Sequence, residues 1–444
     1  MAERYDLVLK GGTAATPMGI GAADIALSGG RIAAIGEIDA GAADAVFNAK
    51  GLHLLPGVID TQVHFREPGL EHKEDLASGT AAAALGGVTA VFEMPNTKPS
   101  TVTAADLQDK LARAAGRASV DHAFFIGAAE ENIDQLASLE RLPGCAGVKV
   151  FMGSSTGSLL VEDDESILEV LRNGARRVAV HAEDEARLRE RLALVRDGAD
   201  VAMHPEWRDV ETAVKATRRL MALARQAKRR VHVLHVTTAE EVPILAANKD
   251  IVTMEVTPQH LTLAAPDCYE RLGSLAQMNP PIRAARHREA LWDALRQGIV
   301  DVIGSDHAPH TKEEKAAAYP RTPSGMPGVQ TLLPLLLDHL AAGRLSLERL
   351  VDLTAAGPQR IYGVAGKGRL AVGYDADVTV VDLKARREIT GKWLASKCGW
   401  SPFEGLTVTG WPVATIVRGQ MVMRNDELLG APAGAPVRFL EALP

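Results

Sequence analysis

The chain has 444 residues, 46% of them apolar and 24% charged, with 49 basic against 56 acidic side chains and a net charge of −7. That length exceeds what one small core needs and points to a large soluble domain with a smaller one attached, while the acidic balance argues against a nucleic-acid surface and leaves room for a local basic pocket. The longest apolar run, near TLLPLLLDHLAAG, is broken by Pro334, Asp338 and His339, and MAERYDLVLKGG has no apolar leader core, so neither a membrane span nor a signal peptide is expected.

Residues 5–50 carry short alternating runs, YDLVLKGG, DIALSGGRIAAIGEI and AVFNAKG, punctuated by glycine. Residues 366–424 repeat the style in GKGRLAVGYDADVTVVDL and ATIVRGQMVMRN. Both stretches read as antiparallel strands with turns. Neither has enough strands to stand alone, so the two ends are expected to build one small β-sandwich from residues 1–54 and 366–444. Between them, residues 55–365 alternate differently. Apolar runs recur in GVID, GVTAVFEM, DHAFFIGA, GVKVFMG, RRVAVHAED, RVHVLHV, IVTMEVTP and DVIGSDH. Helical spacing fills the gaps, as in AADLQDKLARAAG and VETAVKATRRLMALARQA. Eight strand–helix units in series predict an α/β fold, a (β/α)8 TIM-like barrel. Cys145, Cys268 and Cys398 are far apart and unpaired in spacing, which fits a reducing cytoplasm rather than a disulfide framework.

An open doubly wound sheet also uses such units, and the polar residues decide between the two. His64, Lys149, His181, His235 and Asp306 fall at or near the ends of five different runs. A closed barrel brings those ends to one mouth; an open sheet spreads them. Taken singly, each has a plainer reading. The histidines suit a packed core, Asp306 suits a helix cap, and Lys149 inside an apolar strand must snorkel, pair or lose its charge. Taken together, five such groups at five strand ends point to a metal site. His64 and Arg66, two apart in DTQVHFREPG, face one space if that segment is extended.

These motifs carry a resemblance. DTQVHFREPG, EMPNT, KVFMGSSTG, HAED, GSDHAPH and GYDADVTVVDL together resemble the amidohydrolase superfamily in its dihydroorotase branch, over nearly the whole chain. The one departure is Gln62, where the family usually has the first histidine of His-x-His. The resemblance implies that Lys149 is carboxylated and bridges divalent metals. His181 and His235 would then bind the more exposed ion, and His64 and Asp306 the other. Zinc is expected, one ion or two, with manganese or cobalt as alternatives. Gln62 is a weak ligand at most, or a neighbouring donor. Asp306 is the expected catalytic proton carrier, working with a metal-activated hydroxide.

The resemblance also implies the substrate: (S)-dihydroorotate, interconverted with N-carbamoyl-L-aspartate in pyrimidine synthesis. Arg66, Asn96 and His310 match residues that hold its carboxylate, and Asn279 matches one that meets the ring. Plainer roles exist for all four. These are a rim ion pair of Arg66 with Glu67 or Glu71, turn capping by Asn96, a solvated loop for His310, and a turn before Pro280 for Asn279. Alternatives are an allantoinase or other cyclic ureide hydrolase, or a silent partner of aspartate transcarbamoylase, which Gln62 motivates. Arg283 receives no role. Residues 310–330 are either a mobile lid or a static loop, and MGSSTGS lacks the Lys-Ser/Thr of a P-loop. A homo-oligomer is expected, a dimer among the candidates.

Overall fold

Eight apolar runs become eight parallel strands in the computed structural model, which describes residues 4–442 except 156, 158 and 197. They are β1 (Val58–Val63), β2 (Val88–Glu93), β3 (Asp121–Gly127), β4 (Cys145–Phe151), β5 (Val178–His181), β6 (Val231–Val233), β7 (Val252–Val256) and β8 (Val302–Ile303). Each pairs with the next in chain order. Val63 pairs in parallel with His307, and the His64 amide donates to the His307 carbonyl at 2.7 Å, which joins the last strand's exit to the first. All six residues of β1 and all seven of β4 are buried. Strands covered on both faces read as continuous apolar runs rather than alternating ones, which is why the sequence announced them.

The outer helices are set by their caps. Asp209 accepts from the Thr212 amide to start the helix Val210–Ala227, whose buried face includes Val214, Leu220 and Leu223. Asp75 caps Leu76–Leu85 in the same way. Within that helix a side chain at Gly79 would meet the Phe65 ring at 2.3 Å. Only glycine lets the helix close on Phe65, and this fixes the chain on either side of it, at His64 and Arg66.

Strands from both termini share one nine-stranded mixed sheet. His53–Pro56 pairs with Val378–Val381, and Tyr5–Thr16 pairs with Gly19–Ser28. The C-terminal chain also leaves this sheet twice. Trp400 packs beside the barrel mouth and donates its indole N–H to the His310 carbonyl at 2.8 Å. Phe439 stacks edge-on against Phe92 in the apolar cluster that includes Tyr362 and Ile59. No helix among the described residues is long and apolar enough to cross a membrane, and the three cysteines are free and buried.

A buried charge cluster ties the sheet to the barrel. Lys367 Nζ lies 2.5 Å from Asp121 on β3, 2.6 Å from Asp377 and 3.1 Å from Asp375. Burial disfavours the ammonium, but the three carboxylates outweigh it and hold Lys367 above the usual lysine range. Lys367→Met strands buried carboxylates without their cation. We expect a loss of about 3–5 kcal/mol of stability, read as a lower midpoint in urea unfolding. A loss under about 1 kcal/mol contradicts the assigned role of the cluster.

Candidate metal and substrate site

The C-terminal strand ends surround a narrow cleft. Gln62 and His64 come from β1 and its exit, Lys149 and Phe151 from β4, His181 from β5, His235 from the turn after β6, and Asp306 from the turn after β8. Arg66, Asn96, Ser155, Asn279, Ala308, Ser324 and Gly325 complete the wall. Three of the non-glycine residues among these sit on left-handed backbone: Arg66 at φ 67°, His235 at φ 36° and Asp306 at φ 45°. Such residues are strained by roughly 1–2 kcal/mol each and cluster where function requires a side chain to be aimed.

At one end of the cleft, His64 Nδ1 is 2.8 Å from Asn96 Oδ1, which makes that nitrogen the donor and turns the Nε2 lone pair inward. Nε2 then faces Asp306 Oδ1 at 3.2 Å. Gln62 Nε2 donates to the same oxygen at 3.1 Å, while Gln62 Oε1 is buried with no partner. Burial holds His64 well below the usual imidazole range, with the Arg66 and Lys149 cations adding to it. Burial raises Asp306, and Lys149 opposes that.

At the other end, His181 Nε2 lies 2.8 Å from Glu183 Oε2. The carboxylate makes Nε2 the N–H and leaves the Nδ1 lone pair pointing at His235 Nε2, 3.1 Å away. Arg208 grips Glu183 in turn, its Nε at 3.1 Å and its Nη2 at 2.5 Å. Burial would raise Glu183, yet Arg208 and His181 keep it far below the carboxylate range. His235 Nδ1 has no partner. Between the two ends stands Lys149, fully buried, its Nζ 4.4 Å from the Phe151 ring centroid. Burial lowers it, and Asp306 and Glu255 only partly compensate.

These donors fit a divalent cation. Lone pairs of His64 and His181 turn into one cavity lined also by Gln62, whose buried amide oxygen accepts no hydrogen bond. Among the described residues no three His, Cys, Asp or Glu side chains form a metal cluster by themselves. Gln62 and Lys149 are the side chains that would enlarge the set.

The sequence expectations fare unevenly at the substrate end. Arg66 is 1% exposed and lies in the cleft wall, donating Nε to the Pro309 carbonyl at 3.1 Å. Its neighbours Glu67 and Glu71 turn away to Arg117 and Arg113, so Arg66 is not a rim ion pair. Asn279 lines the cleft, with Oδ1 2.9 Å from His204 Nε2. Asn96 lines it too while holding His64. His310 is neither solvated nor in the wall; it is buried behind Arg66, its Nε2 at 3.3 Å from Arg66 Nη2. Arg283 bonds Thr237 and the Arg208 carbonyl, a framework role.

Residues 310–330 fold over the cleft and are pinned. Lys315 Nζ donates to the carbonyls of Gln277, Pro323 and Gly325 at 3.1, 2.9 and 3.1 Å. Thr156 and Ser158 of the MGSSTGS run lie outside the described residues. Sequence reasoning missed Glu183 and Arg208. Glu183 had a visible signal, an acid two residues after a strand-end histidine; Arg208, 25 residues further on, had none.

Three comparisons bear on this geometry. The family model described as "Amidohydrolase family" matches residues 53–422. A dihydroorotase of Halobacterium salinarum is 41% identical over 410 residues, 91% of this chain and 94% of that protein. An allantoinase of Rubrobacter xylanophilus is 36% identical over 451 residues, 98% of each. Among solved structures, the L-hydantoinase (dihydropyrimidinase) of Arthrobacter aurescens superposes with a TM-score of 0.91 at 30% identity, covering 98% of this chain and 99% of that one.

Proposed function

The chain belongs to the amidohydrolase family, and from that premise we propose that it is a dihydroorotase, opening (S)-dihydroorotate to N-carbamoyl-L-aspartate and closing the ring in reverse. The observation that carries this reading is Arg66. It is a cation buried in the cleft wall, and among the described residues no carboxylate lies within ion-pair distance of it. Burial pushes it down to about 10, against the pull of Asp306, so it stays charged at neutral pH. A buried guanidinium with no carboxylate directly paired to it is costly, and a carboxylated substrate supplies that pair through two hydrogen bonds. Allantoin has no carboxylate to offer, so Arg66 argues against the allantoinase alternative. Dihydroorotase relatives at 35–41% identity over most of the chain support the same choice.

His181, His235, Lys149, His64 and Asp306 are the side chains that would hold metal, with Gln62 the weakest donor. Carbamate formation at Lys149 Nζ would replace a buried cation by an anion matched to such ions. A bound divalent ion supplies Lewis acidity, easing deprotonation of water and polarising the scissile carbonyl. Asp306 Oδ1 takes the proton of the attacking water and passes it to the departing amide nitrogen. Arg66 and Asn96 hold the carboxylate end, Asn279 meets the ring, and the loop bearing Ser324 and Gly325 keeps bulk water out.

The test is an assay of purified protein with dihydroorotate, N-carbamoyl-L-aspartate and allantoin. Turnover of the first two with little of the third is expected. Robust allantoin hydrolysis without dihydroorotate turnover rejects the assignment, and absence of all turnover favours the silent-partner reading. Gln62→His provides a second check. Imidazole is the better ligand for a borderline cation, so metal content per chain should rise and resist chelator longer than in wild type. Equal metal content and equal loss to chelator would remove position 62 from the metal site.

A further inference from the structure

The His310 ring is held among four polar groups. Its Nδ1 lies 3.1 Å from Lys73 Nζ and 3.7 Å from Glu314 Oε2. Its Nε2 lies 3.0 Å from the Ser324 carbonyl oxygen and 3.3 Å from Arg66 Nη2. Burial first, then the Arg66 cation, push the imidazole down to about 3, so the ring carries one proton. An ammonium only donates and a carbonyl only accepts. Nδ1 therefore accepts from Lys73, and Nε2 donates to Ser324. The other tautomer would aim an N–H at Glu314 beyond hydrogen-bond reach. It would also offer the Nε2 lone pair to Arg66, spending the guanidinium edge on an internal partner.

We propose that Lys73 is a positioning residue: by donating to His310 Nδ1 it joins the Ser324 carbonyl in holding the Nε2–H tautomer, which cannot accept from Arg66, and so keeps Arg66 Nη2 available for a substrate carboxylate. The inference rests on the reading that Arg66 receives a carboxylated substrate. It also separates Lys73 from a simpler duty. Lys73 forms an ion pair with Glu314 at 2.9 Å, and Glu314 caps the Thr311 amide. If the lysine only anchored that loop, loss of Glu314 would have the same effect as loss of Lys73.

The experiment is nitrogen-resolved NMR of protein labelled with ¹⁵N-histidine, with the His310 signals assigned by their loss in His310→Gln, alongside steady-state kinetics on dihydroorotate. Wild type should give the Nε2–H pattern at His310; an Nδ1–H pattern overturns the proposal without any Lys73 variant. Lys73→Met should shift His310 toward Nδ1–H and raise KM about tenfold while kcat stays within about twofold. Lys73→Arg, which keeps a donor, should restore the tautomer. Glu314→Gln should retain Nε2–H. An unchanged tautomer in Lys73→Met, or a Glu314→Gln variant that behaves like it, refutes the role. Should wild type fail to turn over dihydroorotate while the tautomer still follows Lys73, the ring-locking role stands and the substrate reading falls.

Discussion

Asp306→Asn is expected to lower kcat by about 10³-fold or more with little change in KM, because the group that carries the proton between water and leaving nitrogen is lost. Asparagine is a clean replacement here. It is nearly isosteric, and it tolerates the left-handed backbone at φ 45° better than most residues. Its amide oxygen remains near His64 Nε2 and Gln62 Nε2, the present neighbours of Asp306. Metal content measured on the same sample separates loss of proton transfer from loss of ligand. A variant that keeps its metal and retains more than about a tenth of wild-type kcat would remove Asp306 from the chemistry.

Arg66→Ala is expected to cut kcat/KM for dihydroorotate about 10²–10³-fold, the value of two charge-assisted hydrogen bonds in a buried wall. Arg66→Lys should recover little, since a point charge does not reproduce a planar two-donor edge. Dihydrouracil, the same ring without the carboxylate, gives the internal control: whatever rate wild type has on it should change far less in either variant. Equal losses on both compounds would mean that Arg66 supports the fold of the cleft and not the recognition of charge.

The barrel was legible because parallel strands buried on both faces leave uninterrupted apolar runs, and five of the eight runs end in a polar, chemistry-bearing residue. Singly, His64, Lys149, His181, His235 and Asp306 each allowed a structural role; their recurrence at five strand ends marked a site, and all five line one cleft. What stayed hidden depends on partners remote in sequence. Glu183 is held by Arg208, and His310 is turned by Lys73 across 237 positions. Trp400 reaches the mouth from the far end of the chain. No local periodicity records such contacts. The likeness of the two termini foretold that their strands would pair, but local patterning did not foretell that Phe439 would close the barrel's opposite end beside Phe92.

The left-handed turns beneath Arg66, His235 and Asp306 bear on any attempt to rebuild this chemistry elsewhere. Copying the side chains onto the regular strand ends of another barrel would aim them wrongly, since ordinary extended geometry sends the Cα–Cβ vectors along other directions. A graft has to import the bends as well, together with enough surrounding packing to hold three disfavoured torsions at once. By the same reasoning, valine, isoleucine or threonine at these positions should be among the least tolerated replacements in a saturation library, whatever their polarity.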